Sequence, residues 1–250
     1  MYQPAATSTW PHKPSAFDAV DGDFSYGNTV DACEAAVRAG FLRKVFGIVA
    51  AQLMVTAAVA GMMMFSTSLR AVALHTPSML MLTFFASLGF LFAAQIYKDH
   101  HPQNLWYTFG FTLCMAWSVG TVCARFYEGG LGLVVLEAIG LTASVTAALT
   151  IYTLRSKQDF SFLGAGLGAA LWVLIIGGFT APLLGFAGFH FALAVGGAAV
   201  FSLYIVYDVH LISKRLSPDE YVPAAITLYL DIVNLFLHIL RILAQLQSRD

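Results

Sequence analysis

Long apolar runs alternate with short polar connectors over most of the chain. A helix needs about 20 apolar residues to cross the hydrocarbon core of a bilayer, and seven runs are long enough. They cover residues 45–66, 78–97, 105–124, 131–153, 160–184, 189–212 and 224–243. The connectors between them leave no room for a soluble domain. The pattern predicts an all-α membrane protein, a seven-helix transmembrane bundle.

The N-terminal segment has a different composition. Residues 1–40 are rich in Pro, Ser, Thr, Asp and Gly, and no apolar run follows a basic start as in a secretory signal peptide. We predict a mostly disordered cytosolic tail over residues 1–40, with a short amphipathic piece near residues 32–39. The seven-span membrane domain then covers residues 41–250.

Composition agrees with a lipid environment. The chain is 58% hydrophobic and 11% charged, whereas a soluble domain is about a quarter charged. The net charge of −1 gives no basic field for nucleic acid, so we expect the lipid bilayer as partner and no nucleic acid. Cys33, Cys114 and Cys123 have the spacing of neither a disulfide framework nor a zinc site.

The basic residues predict the orientation of the bundle, because Lys and Arg concentrate on the cytosolic side of membrane proteins. Most of them lie in the tail and in the connectors after even-numbered spans: Lys13, Arg38, Arg43, Lys44, Lys98, Arg155, Lys157, Lys214 and Arg215. The opposite side has only Arg70, Arg125, Arg241 and Arg249. We therefore predict a cytosolic N-terminus. A complete seventh span places the C-terminus on the far side, and a last segment that dips in and returns keeps it cytosolic.

A polar stripe runs along the last span. At the helical period of about 100° per residue, Asp231, Asn234, His238 and Arg241 fall within a sector of about 80°. A charged group at the centre of a bilayer is unfavourable by about 2.5–3.5 kcal/mol on insertion scales. The stripe must therefore face the bundle interior or water, which predicts that the last helix is central.

Two aspartates flank the last connector. Asp208 lies about five residues before it and Asp231 about eight residues after it, so both lie roughly 7–12 Å below the same membrane surface. Desolvation and mutual repulsion disfavour the doubly ionised pair, which predicts a proton switch. When both are ionised, the pair is a hard-oxygen site for transient Ca²⁺ binding, and Asp219 and Glu220 add negative charge at the mouth. Alternatively, each aspartate only bonds a neighbouring polar side chain, such as Tyr204 for Asp208.

Three stretches resemble the transmembrane Bax inhibitor motif family, also called lifeguard proteins. They are "FLRKVFGIVAAQLMVTAAVAG", "LTIYTLRSKQDFSFLGAGL" and "YIVYDVHLISKRLSPDEYVPAAITLYLDIVNLFLHILRIL". With "DFSYG" at residues 23–27, they are most similar to the branch of Golgi anti-apoptotic, or lifeguard-four, proteins.

The resemblance implies a function. It implies a seven-helix fold, a pH-sensitive Ca²⁺ leak from intracellular stores, and suppression of apoptosis through lowered store filling in Golgi or endoplasmic reticulum membranes. The aspartate pair of the family falls on Asp208 and Asp231, and an acidic pore-mouth position falls on Asp219. Ca²⁺ is then the permeant ion, no cofactor is implied, and other membrane proteins of apoptosis or Ca²⁺ release are candidate partners. The oligomeric state is left open.

Two positions depart from the family pattern. Bacterial relatives latch the closed state with an arginine on the second span, and residues 78–97 hold none, which leaves Arg241 as the candidate latch cation. His190 stands near the start of the sixth span, where relatives of this branch can carry a glutamate. We group His190 with Asn234 and His238 as candidate pore-lining residues.

Two other functions fit parts of the pattern. Intramembrane aspartyl proteases also place aspartates on consecutive helices, but they carry Gly-x-Gly before the second one, and this chain reads "LYLD" at 228–231. Their Pro-Ala-Leu motif is also absent, so we expect no enzyme activity. The second alternative is a non-conducting scaffold that binds apoptosis regulators, in which both aspartates are structural.

Overall fold

The computed structural model describes residues 35–98 and 100–248. Most of the predicted tail, together with Lys13, Cys33 and Arg249, lies outside the described residues. All regular structure in the described ranges is helical. The eight helices are α1 (Ala35–Phe65), α2 (Thr67–His75), α3 (Pro77–Ile96), α4 (Gln103–Glu128), α5 (Gly132–Arg155), α6 (Leu163–Leu184), α7 (Ala187–Lys214) and α8 (Tyr221–Gln247).

Seven of these helices are long and apolar enough to cross a membrane, which confirms the seven predicted spans. The first described helix, α1, begins at Ala35, inside the stretch of residues 32–39 where a short amphipathic piece is predicted. The domain boundary at residue 40 stays a prediction. The sequence missed α2, a helix of nine residues that is too short to register as a span.

The last span is a single helix of 27 residues, α8. At about 1.5 Å per residue it is roughly 40 Å long, enough to cross the hydrocarbon core completely. It contacts α1, α3, α4, α5 and α7, and its buried side chains are distributed around most of its circumference. We call the end of the bundle where α8 begins the connector end; residues 97–98, 100–102, 156–162 and 215–220 lie there.

A hydrogen-bond network fixes α8 to α1 and α4. The Thr56 hydroxyl donates to the Gln52 carbonyl oxygen at 2.8 Å, and the Tyr229 hydroxyl lies 2.8 Å from Thr56 Oγ1. Gln52 Nε2 in turn donates to Thr112 Oγ1 at 3.0 Å. Because the Thr56 hydroxyl already donates its hydrogen to the backbone carbonyl of Gln52, the Tyr229 hydroxyl must be the donor in its bond to Thr56 Oγ1. No water in a bilayer can replace such bonds, so the network fixes the rotation of α8.

A second set of contacts fixes the start of α8 at the connector end. Asn104 Nδ2 donates to the Tyr221 hydroxyl at 2.9 Å, and Lys44 Nζ lies 3.3 Å from the centre of the Tyr221 ring. Lys98 and Glu220 form an ion pair at 3.8 Å. The first turn of α8 is therefore held by residues of α1, α4 and the connector before α4.

The helix α6 lies at the edge of the bundle. It packs mainly against α7, and most of its side chains are exposed to the lipid side. Two cavities flank α8. One of about 420 Å³ lies between α6, α7 and α8, and an apolar one of about 590 Å³ lies between α1, α4, α5 and α8.

We predict that Tyr229→Phe lowers the stability of the bundle by about 0.6–1.7 kcal/mol, the range for a hydrogen bond between membrane helices. The phenyl ring keeps its edge contact with Phe111, so the loss reports the hydroxyl alone. The measurement is the unfolding transition in detergent. Tyr152→Phe is the control, because Tyr152 is 54% exposed on α5. An equal loss of stability in Tyr229→Phe and Tyr152→Phe contradicts a stabilising hydrogen bond from Tyr229 to Thr56.

Candidate ion and proton site

The structure brings the two predicted aspartates together. Antiparallel α7 and α8 pack along their length, and Asp208 and Asp231 line the same cavity, close enough for their carboxyl groups to interact. Asp231 is only 7% exposed, and its Oδ2 atom has no hydrogen-bond partner among the described residues. A hydrogen bond between two carboxyl groups requires a proton on one of them. Two carboxyl groups placed in this way are candidates for sharing a proton.

Thr227 is a member of the site that sequence reasoning missed. It lies one turn before Asp231 on α8 and lines the same cavity as the two aspartates. Its hydroxyl donates to the backbone carbonyl oxygen of Ala224 at 3.2 Å. Thr227 precedes Asp231 by four residues and therefore lies on the same helix face. This spacing is the sequence signal from which Thr227 could have been predicted.

Tyr204, the partner considered for Asp208 in the structural alternative, lies beside the pair. It is close enough to both carboxyl groups to interact with them electrostatically. Its ring packs against Phe201 with centroids 6.0 Å apart. Tyr204 therefore forms part of the wall around the pair.

The pair opens into the cavity of about 420 Å³ between α6, α7 and α8. The whole predicted stripe of α8 lines this cavity: Asp231, Asn234, His238 and Arg241. The opposite wall comes from α6 and is apolar, with Leu171, Leu174 and Ile175. One side of the cavity can thus bind a cation or a proton, and the other side only excludes water.

His238 occupies a fitted position in this cavity. It is 9% exposed, and its ring stacks on Phe201 with a centroid distance of 5.6 Å. A Cβ atom on Gly197 of α7 would collide with the His238 ring. Gly197 is therefore required for the close approach of the imidazole to α7.

Arg241 and His190 lie away from the aspartate pair. Arg241 follows Asp231 by ten residues, or roughly 15 Å along α8, and lines the same cavity, so its role as the latch cation stays a prediction. His190 precedes Asp208 by about eighteen residues, or roughly 27 Å along α7. It is not among the residues that line this cavity, so a pore-lining role for His190 at another depth of the bundle stays a prediction.

The two acidic residues of the connector differ in their surroundings. Glu220 pairs with Lys98, and its Oε2 atom accepts a hydrogen bond from the Ser217 backbone nitrogen at 3.2 Å. Asp219 is exposed at the connector end. Asp219 therefore presents its charge to the aqueous phase, and the charge of Glu220 is partly compensated.

The site does not have the ligands for a resident metal. Across residues 35–98 and 100–248, no group of three or more His, Cys, Asp or Glu side chains could hold a metal ion. Two carboxylates supply at most about four oxygens, and Ca²⁺ takes about six to eight ligands. A Ca²⁺ ion at the pair would keep part of its water shell, as a transient ion does.

Seven helices long and apolar enough to span a membrane, with one aspartate of the pair on each of the last two, define a polytopic membrane protein. The family model "Inhibitor of apoptosis-promoting Bax1" matches residues 38–248. The chain is 41% identical over 229 residues to the Golgi anti-apoptotic protein of Vaccinia virus (strain Lister), covering 92% of this chain and 95% of that protein. It therefore belongs to the Bax inhibitor/lifeguard family, which confirms the resemblance.

Two cellular relatives agree with this assignment. Protein lifeguard 4 of Mus musculus is 39% identical over 230 residues, covering 92% of this chain and 95% of the relative. Bax inhibitor 1 of Schizosaccharomyces pombe is 36% identical over 252 residues, covering 99% of this chain and 91% of the relative. The similarity thus includes both α7 and α8.

We predict that Gly197→Ala destabilises the protein by about 1–3 kcal/mol, because the new methyl group overpacks against the His238 ring. The control is Gly196→Ala, where the methyl group meets open space and helix propensity improves. Unfolding transitions in detergent should move in opposite directions. A second change, His238→Ala, should restore the stability of Gly197→Ala. Parallel shifts in the two glycine variants contradict the fitted position of His238.

Proposed function

We propose that this protein is a pH-sensitive Ca²⁺ leak channel of intracellular membranes, gated by Asp208 and Asp231, and not an enzyme. By lowering the Ca²⁺ content of the store it suppresses apoptosis, as the names of its relatives suggest. The Golgi, the endoplasmic reticulum or both are its location. The placement of the two carboxyl groups together at a membrane-embedded cavity is the observation that carries the proposal.

Proton binding changes both the charge and the geometry of the pair. With one shared proton, the carboxyl groups can hydrogen bond and hold α7 against α8. When the proton leaves, two negative charges repel each other in a poorly solvated site. The doubly ionised pair then attracts Ca²⁺, and the repulsion favours separation of the helices.

We place the connector end of the bundle in the cytosol. Most described cations lie at this end: Arg38, Arg43, Lys44, Lys98, Arg155, Lys157, Lys214 and Arg215. This asymmetry is what the positive-inside rule describes. The length of α8 supports a complete last span, with the C-terminus on the other side. The aspartate pair then lies near the cytosolic mouth of the pathway.

We predict that Ca²⁺ efflux from proteoliposomes varies with pH between about 6 and 8, since proton exchange changes the charge of the pair. Asp208→Asn and Asp231→Asn should each remove this variation, because neither retains two ionisable groups. Glu137→Gln is the control, because Glu137 is an exposed carboxyl on α5 outside the pair. It should retain the pH dependence of the parent.

The possible results separate the candidate functions. If efflux depends on pH equally in the parent and both asparagine variants, the pair is not the gate. If the parent passes no more Ca²⁺ than empty liposomes, the channel proposal fails. The non-conducting scaffold then becomes the leading function, and its apoptosis-regulating partners should be isolated with the full-length protein.

We further predict that Asp219→Asn lowers Ca²⁺ efflux about twofold at low ionic strength, because an exposed carboxylate at the mouth concentrates cations. The difference should disappear at about 1 M salt, where the Debye length is about 3 Å. Asp219→Glu keeps the charge and should keep the efflux. Equal losses in Asp219→Asn and Asp219→Glu contradict an electrostatic role.

A further inference from the structure

One carboxylate ties the loop between α5 and α6 to the end of α7. Asp159 Oδ1 accepts hydrogen bonds from the Ser161 backbone nitrogen at 2.9 Å and from Ser161 Oγ at 2.6 Å. The same atom lies 2.9 Å from His210 Nε2. Asp159 Oδ2 accepts from Arg215 Nη2 at 3.0 Å. A single loop side chain thus contacts His210 of α7 and Arg215, the C-cap of that helix.

The surroundings of Asp159 favour its ionised form. The Ser161 hydroxyl, the Ser161 backbone nitrogen and Arg215 together hold the pKa of the Asp159 carboxyl well below its usual range. At neutral pH it is therefore a permanent acceptor. The cluster of Asp159, Ser161, His210 and Arg215 is a fixed contact under these conditions.

His210 is the buried part of this cluster. Its side chain is 2% exposed, and Phe160 of the loop packs edge-on against the ring with a centroid distance of 5.7 Å. The charged groups around His210 are Asp159, Lys214 and Arg215. His210 follows Asp208 by two residues on α7, so the loop is attached next to the aspartate pair.

The beginning of α6 makes a second close contact with the same part of α7. A Cβ atom on Gly164 would lie 2.7 Å from the Tyr207 hydroxyl, and Tyr207 directly precedes Asp208. From there α6 continues along the cavity, where Leu171 and Leu174 form the apolar wall. Since α6 packs mainly on α7, these contacts determine where the wall stands.

We propose that Asp159 is a positioning residue: through His210 and Arg215 it holds the start of α6 against the end of α7 and thereby keeps the apolar wall over the aspartate pair. Release of the cluster lets α6 move outward and admits water and cations to the pair. The consequence for Ca²⁺ rests on the proposed function. The position of the wall does not, and it can be measured separately.

The test is the accessibility of a cysteine on the wall. The three native cysteines are first removed from the full-length protein by Cys33→Ser, Cys114→Ser and Cys123→Ala. A single cysteine is then placed on the wall by Leu174→Cys. The rate at which a charged, membrane-impermeant methanethiosulfonate reagent modifies it measures how accessible the cavity is from water. We expect Asp159→Ala to raise the modification rate about fivefold, and Asp159→Glu to bring it back toward the parent rate.

A matched cysteine separates local movement from general loosening. Ala143→Cys lines the other cavity, between α1 and α5, and its rate should not change in Asp159→Ala. Unchanged modification at Leu174→Cys overturns the proposal, and so does an equal rise at both cysteines. If Asp159→Ala does not fold, Arg215→Gln removes one contact of the cluster and should raise the Leu174→Cys rate to a smaller extent.

Ca²⁺ efflux in the same variants links the cluster to the gate. We expect Asp159→Ala to increase efflux about fivefold while Asp208 and Asp231 remain in place. If the rate at Leu174→Cys rises and efflux does not, Asp159 positions the wall as proposed, and the consequence drawn for Ca²⁺ is overturned. If the parent shows no efflux at all, the proposed function fails, and the modification rates still decide whether Asp159 positions α6.

Discussion

Two carboxyl groups close together inside a membrane-embedded bundle impose the main constraint on this fold. Asp208 and Asp231 cannot be placed against lipid without a large loss of solvation energy, so the helices that carry them must face inward together. This requirement puts α8 among five other helices. It also leaves a cavity beside the pair, because α6 stands at the edge and supplies an apolar wall.

The polar stripe of α8 is balanced by polar contacts on its other sides. Tyr229 bonds Thr56, and Tyr221 bonds Asn104. These bonds lie in regions where water cannot replace them, so they specify one rotation of the helix. The family model matches residues 38–248, a range that includes all four of these residues.

Sequence reasoning reached the features that depend on local periodicity. Apolar runs gave the seven spans, and the 100° helical period gave the stripe that contains Asp231 and His238. The meeting of Asp208 and Asp231 followed from their similar depth on antiparallel neighbours. The helical rise of about 1.5 Å per residue also separates His190 from Asp208 by roughly 27 Å along α7, so His190 does not lie near the pair.

The remaining features depend on contacts between distant parts of the chain. Nothing in the local sequence of Gly197 indicates that a His238 ring will lie against it. Asp159 reads as an ordinary loop carboxylate, and its bonds to His210 and Arg215 depend on the packing of α6 against α7. The nine residues of α2 carry no spanning signal, since such a helix is shorter than a membrane crossing.

The two cavities on opposite sides of α8 limit how the molecule can move. If α8 turned on its axis, Asp231 would enter the apolar cavity beside α1 and α5, and the Tyr229 hydroxyl would lose Thr56. Both changes are unfavourable in lipid. These contacts disfavour rotation of α8 and so favour motion of the outer helices. For the proposed channel, access to the aspartate pair is then controlled by α6, whose span is the least buried of the seven. The thickness and lateral pressure of the surrounding bilayer thereby become physical inputs to the proposed gate.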